Sequence, residues 1–446
     1  MANPFVGIVR IKELRERILF TSAMLIVFRI GAHIPIPGIN VRVLTNYFRN
    51  LSQDGGNAIV NYLDFFAGGA FTNFSVFMLG IMPYISMSII MQLLLIVFPR
   101  LKKISQEEGG KKKIQKYQRF GTVGICLVQS FVVTQYTQSI APHVGGLEAL
   151  LSIDFLAFSL IAMLTVTTGT MFLMWIGEQI TKRGIGNGIS ILIFAGIVAR
   201  IPSAILELGE WVQAGDSSRL VYSMLILAIF VAVVTLVVYE QQGQRKIPVN
   251  YAKRVVGRKM YGGAPNAFIP FKINPSGVIP VIFASSILTL PMQLLSGIDV
   301  GWVNALESAL RPDRIMYNVL YVLLIVFFAY FYTQVSLNPT EISKQIRENG
   351  GSIPGIRSDR MEEYLTKILN RIVLPGSLYL AAIAILPTIY MAIFSFPSSV
   401  SYVLGGTSLL IMVGVDLDTM SQIDGYLKEH NYGGLTKKGR LKGRNL

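Results

Sequence analysis

The stretch 62-YLDFFAGGAFTNFSVFMLGIMPYISMSII-90 joins two unlike pieces. From Phe74 onward it is apolar for long enough to cross a bilayer as a helix, which takes about 20 residues. Ahead of that lies a short apolar piece, Tyr62 to Phe71, with Asp64 near its start and Gly68-Gly69 in its middle. The piece is too short to span and too apolar for a free loop. Its purpose depends on what surrounds it.

Of the 446 residues, 52% are hydrophobic and 15% are charged, and the mean hydropathy is +0.53. Soluble domains carry about a quarter charged residues, so this balance defines an integral membrane protein. Glycine is plentiful at 41 residues, as helices packed against helices in lipid tolerate. Cys126 is the only cysteine, which excludes an intrachain disulfide and gives no basis for a metal cluster. The first apolar run starts near Ile18, after Arg10, Lys12, Arg15 and Arg17, and ends in HIPIPG with no small-residue cleavage site. An uncleaved first span is expected rather than a signal peptide.

Ten windows are long and apolar enough to be spans: 18–36, 74–98, 120–140, 153–176, 188–208, 219–239, 276–297, 316–336, 372–394 and 402–420. The fifth is the weakest, cut in its second half by Arg200, Pro202 and Glu207. The third carries Gln129, Thr134, Gln135 and Thr137 mid-span, so it is expected to face protein or water rather than lipid. Lys and Arg crowd the N-terminal segment, the even-numbered connections and the C-terminal tail. The odd connections, with the span ends that adjoin them, hold only Arg42, Arg49, Arg200, Arg219, Arg311 and Arg314. By the positive-inside rule both termini are cytoplasmic. Ten spans divide into five and five, and five crossings invert the second set, so an inverted repeat with its seam near 209–218 is expected from the count alone.

Three functional classes compete: a solute transporter, an intramembrane enzyme and a conduit for something large. Ion-coupled transporters keep ionisable groups at membrane depth. Here the spans hold Arg29 and His33 in the first and Asp416 and Asp418 near the cytoplasmic end of the last, all open to reading as interfacial snorkelling or helix-end pairing. His33, His143 and His430 lie far apart, no nucleophile–base pair or HExxH is present, and no GxxxxGK[ST] loop would hydrolyse nucleotide. No enzyme activity, metal or cofactor is expected. The glycines of 184-GIGNGIS-190 read as a tight turn opening a helix. The runner-up function is a secondary transporter of small solutes with a broken helix near 60–75.

Two cytoplasmic connections, 240–275 and 337–371, are long and basic. Within the first, 244-QRKIPVNYAKRVVGRKMYGG-263 alternates over 247–251 before a second basic cluster, the pattern of a hairpin with Arg and Lys at its tip. Such a projection suits a large acidic partner such as ribosomal RNA, against the plainer reading of positive-inside bias or an anionic-lipid patch.

At the level of longer motifs the chain resembles the SecY family of protein-conducting channels, bacterial in type, from about Leu14 to Met420. The motifs that carry the likeness are 27-VFRIGAHIPIPGI-39, 79-LGIMPYISMSIIMQLL-94, 169-GTMFLMWIGEQITKRGIGNGISILIFAGI-197, 250-NYAKR-254, 277-GVIPVIFASSI-287, 353-IPGIR-357 and 405-GGTSLLI-411. The resemblance implies an all-α polytopic membrane protein of the bacterial cytoplasmic (inner) membrane. Its ten transmembrane helices form two pseudo-symmetric inverted halves, residues 1–210 and 211–420, around an hourglass pore, followed by a basic tail at 421–446 to which nothing beyond solvation is assigned. It implies a pore ring at Ile81, Ile85, Ile193, Ile282 and Ile411, a narrow apolar neck that resists wetting yet admits a chain of almost any sequence.

The resemblance further implies a lateral gate between spans two and seven, with Gln92, Gln129 and Asn274 at polar positions around it. Docking of the SecA motor and of the ribosome falls to Arg245, Lys246, Arg258 and Lys259 in the first long loop and to Arg357 in the second. SecE, and with it SecG, are the implied channel partners, SecE beside the first span and residues 10–18. Unfolded precursors, signal sequences and anionic lipids complete the partners, and DNA is not among them. The stub falls in the family's plug, at 60–73. Phe65, Phe66 and Phe71 would offer apolar surface to the ring, and Asp64 would keep one end wet. Gly68 and Gly69 would weaken the helix by about 1 kcal/mol each, so that it can leave.

Overall fold

The computed structural model describes residues 11–53, 64, 67–215, 217–251, 254–256, 259–261, 267–295, 301–312, 314–394 and 396–438. The chain is predominantly helical, and a helix stands in each of the ten apolar windows. Residues 1–205 with 411–446 form one compact unit and 206–410 form a second. Both boundaries fall inside helices.

The first unit begins with α1 (Lys12–Gly31) and α2 (Val41–Gln53). The expected second span, 74–98, starts later than its hydropathy suggests: α3 runs only from Met82 to Val97. Residues 68–81 form a run of turns, and these turns lean on the chain that leaves α1. Ile36 N–H donates to Phe74 O at 2.8 Å and Val76 N–H to Ile34 O at 2.9 Å. Apolar side chains alone could not reveal this, because a helix and a turn run bury them equally well. At Phe98 the chain bends by 104° into α4 (Pro99–Gln106). Pro99 causes the break, since it cannot donate to the preceding turn and disfavours the helical region for Phe98.

α5 (Gly110–Ile140) buries Thr122, Gln129, Ser130, Thr134 and Thr137 while exposing Leu127, Val128 and Phe131. The polar stripe therefore faces protein, the arrangement lipid demands. Thr134 and Ser159 share a 3.2 Å hydrogen bond across to the next helix. That helix, α6 (Phe155–Arg183), exposes Leu156, Leu160 and Leu164 at four-residue spacing and buries Phe158, Ala162, Val166 and Leu173. Gly169 lets α6 approach backbone: a Cβ there would fall 2.1 Å from Val76 O. The turn at 184–187 then opens α7 (Gly188–Gln213), with Gly188 N–H donating to Thr181 Oγ1 at 2.9 Å.

Arg200 and Pro202 do not interrupt α7. The last helix of the chain, α13 (Gly406–Lys438), runs well past the expected end of the tenth span. Gln422 Oε1 accepts from Gly186 N–H at 2.8 Å and Tyr426 lies under the Arg17 guanidinium. The early tail is thus helical, its side chains over 421–429 exposed or half-buried, and it is tied to the rest of the first unit by these two contacts.

In the second unit α8 (Ser217–Gln242) exposes apolar side chains around most of its circumference. After it come β1 (Gln244–Pro248), β2 (Asn250–Tyr251), β3 (Arg254–Val256), β4 (Lys259–Tyr261) and β5 (Phe268–Lys272). α9 (Ile279–Leu295), α10 (Ile315–Ser336), α11 (Pro339–Glu348), β6 (Gly351–Ser352) and α12 (Met361–Phe394) follow. α11 starts with Pro339 at its first position and Asn338 as N-cap, whose Oδ1 accepts from Thr340 N–H at 3.2 Å.

By length and apolarity, five helices of the described residues suffice to cross a membrane: Phe155–Arg183, Gly188–Gln213, Ser218–Gln242, Ile315–Glu348 and Ser358–Phe394. The bent pair Met82–Val97 and Pro99–Gln106 makes a sixth if counted as one span.

Candidate functional site

The short apolar segment and the turns after it are held from several sides within the first unit. Phe65 and Phe66 lie outside the described residues. Asp64, expected to stay wet, is instead wholly buried. Its Oδ1 accepts from Thr72 N–H at 2.9 Å and from Thr72 Oγ1 at 3.2 Å, and its Oδ2 pairs with Arg200 Nη2. The physical reason is that a buried carboxylate is tolerable once a cation and hydrogen-bond donors surround it. Its main-chain oxygen accepts from Gly69 N–H at 3.1 Å.

Arg29 is likewise engaged rather than snorkelling: Nη1 donates to Gly68 O at 2.9 Å. Gly68 has φ +64°, and a Cβ there would lie 2.7 Å from Gly196 Cα, so backbone meets backbone. Gly68→Ala should therefore destabilise the 67–70 turn by about 1–3 kcal/mol, read as faster proteolytic cleavage near residue 68 in an otherwise intact protein. Phe71 is buried against Phe74 and Tyr136.

Three of the five expected ring residues come together here. Ile81, Ile85 and Ile193 line one narrow cleft with Phe28, Gly80, Met82, Leu192 and Ala67 of the short segment. Ile411 is buried on α13, in the same unit. Ile282 is half-buried on α9 of the second unit, its carbonyl occupied by Ser285 and Ser286 hydroxyls.

The three polar residues expected at the gate differ in environment. Gln92 is half-buried, and among the described residues its Oε1 has no hydrogen-bond partner. Gln129 is buried on α5. Asn274 spends its polar atoms on its own turn: Nδ2 donates to Gly277 O at 3.1 Å and Oδ1 accepts from Ser276 Oγ at 2.8 Å.

The two long connections fold as one body in the second unit. β1 pairs antiparallel with β5, setting Arg245 opposite Phe271 and Lys246 opposite Pro270, with both basic side chains exposed. Lys246 Nζ lies 4.8 Å from the Phe268 ring centroid. Beyond them β3 pairs antiparallel with β4, Arg254 opposite Tyr261 and Val256 opposite Lys259. Arg258 lies outside the described residues, and of Lys259 only the backbone is described. β2 pairs with β6, Asn250 opposite Ser352, joining one loop to the other. Ile247, Val249 and Phe271 share a core with Ile346, Ile353, Met361 and Leu365.

Arg357 is exposed at the rim of a groove of about 410 Å³ lined by Gly355, Ile356, Arg360, Glu363, Tyr364 and Lys367. Sequence reasoning missed Arg360 and Lys367 as neighbours of Arg357. Their spacing, three and ten residues on, was the available signal. Arg200 was missed as the partner of Asp64, and nothing local in the sequence points to it.

A bundle of apolar helices that buries its polar stripe, with basic loops folded outside the spans, is a multi-pass membrane protein. The SecY family model matches residues 75–420. The protein translocase subunit SecY of Borreliella burgdorferi is 44% identical over 441 residues, covering 98% of each chain. That of Escherichia coli K12 is 43% identical over 437 residues, covering 97% of this chain and 96% of the other. Among solved structures the fold is similar to that of a protein-conducting channel (TM-score 0.58, 18% identity, 92% of each chain covered). It is also similar to Sec61 in the canine ribosome–channel complex from the endoplasmic reticulum (TM-score 0.57, 17% identity, 92% of each chain). The chain belongs to the SecY family. It is a subunit of a protein translocation channel, and nothing in these relatives supports a transporter of small solutes.

Proposed function

We propose that the chain is the passive conduit of its channel, passing unfolded secretory polypeptides across the bacterial cytoplasmic membrane and releasing apolar segments sideways into lipid. Ten spans in two inverted halves, with both termini cytoplasmic, would enclose an hourglass pore whose neck is Ile81, Ile85, Ile193, Ile282 and Ile411. Gln92, Gln129 and Asn274 would border the seam that opens toward lipid, where polar contacts worth about 1 kcal/mol each keep opening inexpensive. SecA or the ribosome would supply the drive through Arg245, Lys246, Arg258, Lys259 and Arg357. SecE, with SecG, would brace the channel, and α1 offers Leu19, Ile26 and Ile30 on its exposed face.

The observation that carries this reading is the cleft in which Ala67 meets Ile81, Ile85 and Ile193. A short apolar segment seated against the neck residues is what a plug requires. Apolar walls with no specific hydrogen bond to offer suit a conduit without sequence preference.

Reconstitution with SecE and an ATP-driven motor tests the conduit: the vesicles should take up an unfolded precursor, and failure to do so ends the proposal. The plug is tested in a Cys126→Ser background with Ala67→Cys and Ile85→Cys. A short thiol crosslinker should join the pair in the idle channel and lose most of its yield once a precursor is engaged.

A further inference from the structure

We infer that Arg200 and Arg29 are positioning residues for the plug, and that the Asp64–Arg200 ion pair is the latch that sets how readily it leaves. The inference rests on the plug reading above and deepens it. Three residues of α7 stand at i, i+3 and i+7 and therefore on one face: Ile193, Gly196 and Arg200. Ile193 lines the cleft, Gly196 receives the backbone of Gly68, and Arg200 pairs with Asp64. One stripe of one helix thus carries part of the neck, a seat and an ion pair. Opposite it, Arg29 on α1 donates to Gly68 O, one residue after Phe28 of the cleft wall.

The two ends of the pair are not equivalent. Asp64 is wholly buried, whereas the Arg200 side chain keeps 23% of its surface exposed. A carboxylate left buried without its cation is driven toward water, and here water is reached by leaving the seat. An arginine left without its carboxylate is already part-way into solvent. Desolvation also offsets much of the Coulomb attraction of a buried pair, so the contact fixes geometry while remaining releasable. Removing Arg200 should therefore open the channel more than removing the charge on Asp64. Removing both should be milder than removing Arg200 alone.

Resting ion conductance of the reconstituted complex tests this. R200Q should raise it by at least about tenfold, because it strands a buried charge. D64N should raise it less, since an amide oxygen still accepts from Thr72. D64N/R200Q should return to the D64N level, and R200K should stay near wild type. A double variant as leaky as R200Q, or an R200Q channel as tight as wild type while deletion of 60–73 leaks, overturns the latch and leaves the plug standing. If deletion of 60–73 leaves conductance unchanged, the plug reading falls and the latch with it. Assembly is followed as the amount of intact complex in detergent. Should R200Q fail to assemble, D64N against R200K decides, and a D64N channel as tight as R200K overturns the latch.

Discussion

Exchanging Ile81, Ile85, Ile193, Ile282 and Ile411 together for serine should turn a sealed resting channel into one that leaks ions. Each exchange removes about three carbons of apolar side chain, on the order of 2 kcal/mol of preference for a dry environment. Summed over five positions the change far exceeds the roughly 1.4 kcal/mol that shifts an equilibrium tenfold. Single exchanges should do much less, because the remaining aliphatic side chains close the gap. Planar-bilayer recording of the resting complex measures this directly, and unchanged conductance in the fivefold variant would remove these residues from the neck. Precursor transport should persist in the same variant, since a conduit without specific contacts loses its seal before it loses passage.

Arg357→Glu should cripple motor-driven transport while leaving the channel assembled. Arg357 is exposed, and among the described residues its side chain makes no hydrogen bond or ion pair, so reversal should alter stability by no more than about 0.5 kcal/mol. Its groove is a different matter. Arg357, Arg360 and Lys367 line it together with one acidic residue, Glu363. Reversal there takes away a charged hydrogen-bond donor worth about 1.5–3 kcal/mol to an acidic partner and adds repulsion. ATP-driven import into vesicles should fall by at least about tenfold at limiting motor, with part of the loss recovered at high motor concentration. Wild-type import would exclude Arg357 from the docking face.

Hydropathy was a good guide to helices and a poor guide to where they begin. All ten windows hold a helix, and the polar third window turned its threonines inward as its composition required. The second window misled because 74–81 is apolar for burial in turns rather than for spanning. Those turns are fixed by hydrogen bonds to 34–36, a contact about forty residues distant that leaves no local trace. The same limit hid the Asp64–Arg200 pair, the pairing of Asn250 with Ser352 and the packing of Gln422 on Gly186. In each case one residue's role is decided by a partner remote in sequence.

The hairpin of the first long loop was legible, because alternation and turn residues are local signals. The neck role proposed for the five isoleucines was not. Isoleucine in a membrane helix is ordinary, and only resemblance to a family singled these out. Asp64 shows the reverse error: an acid near an apolar run suggests a wet end, yet its charge is satisfied in the interior.

The shared core beneath the two long loops has a mechanical meaning. A pull on β1 or β5 and a push on the segment around Ile353 do not act on separate tethers, because Ile247, Val249, Phe271 and Ile353 pack into one core. Both reach Met361 and Leu365 at the start of α12 through the same packed side chains, and close-packed interiors yield little under load. The two loops thus behave as a single stiff handle on a 34-residue helix, so a force applied at either grip arrives as motion of that helix rather than being lost as slack.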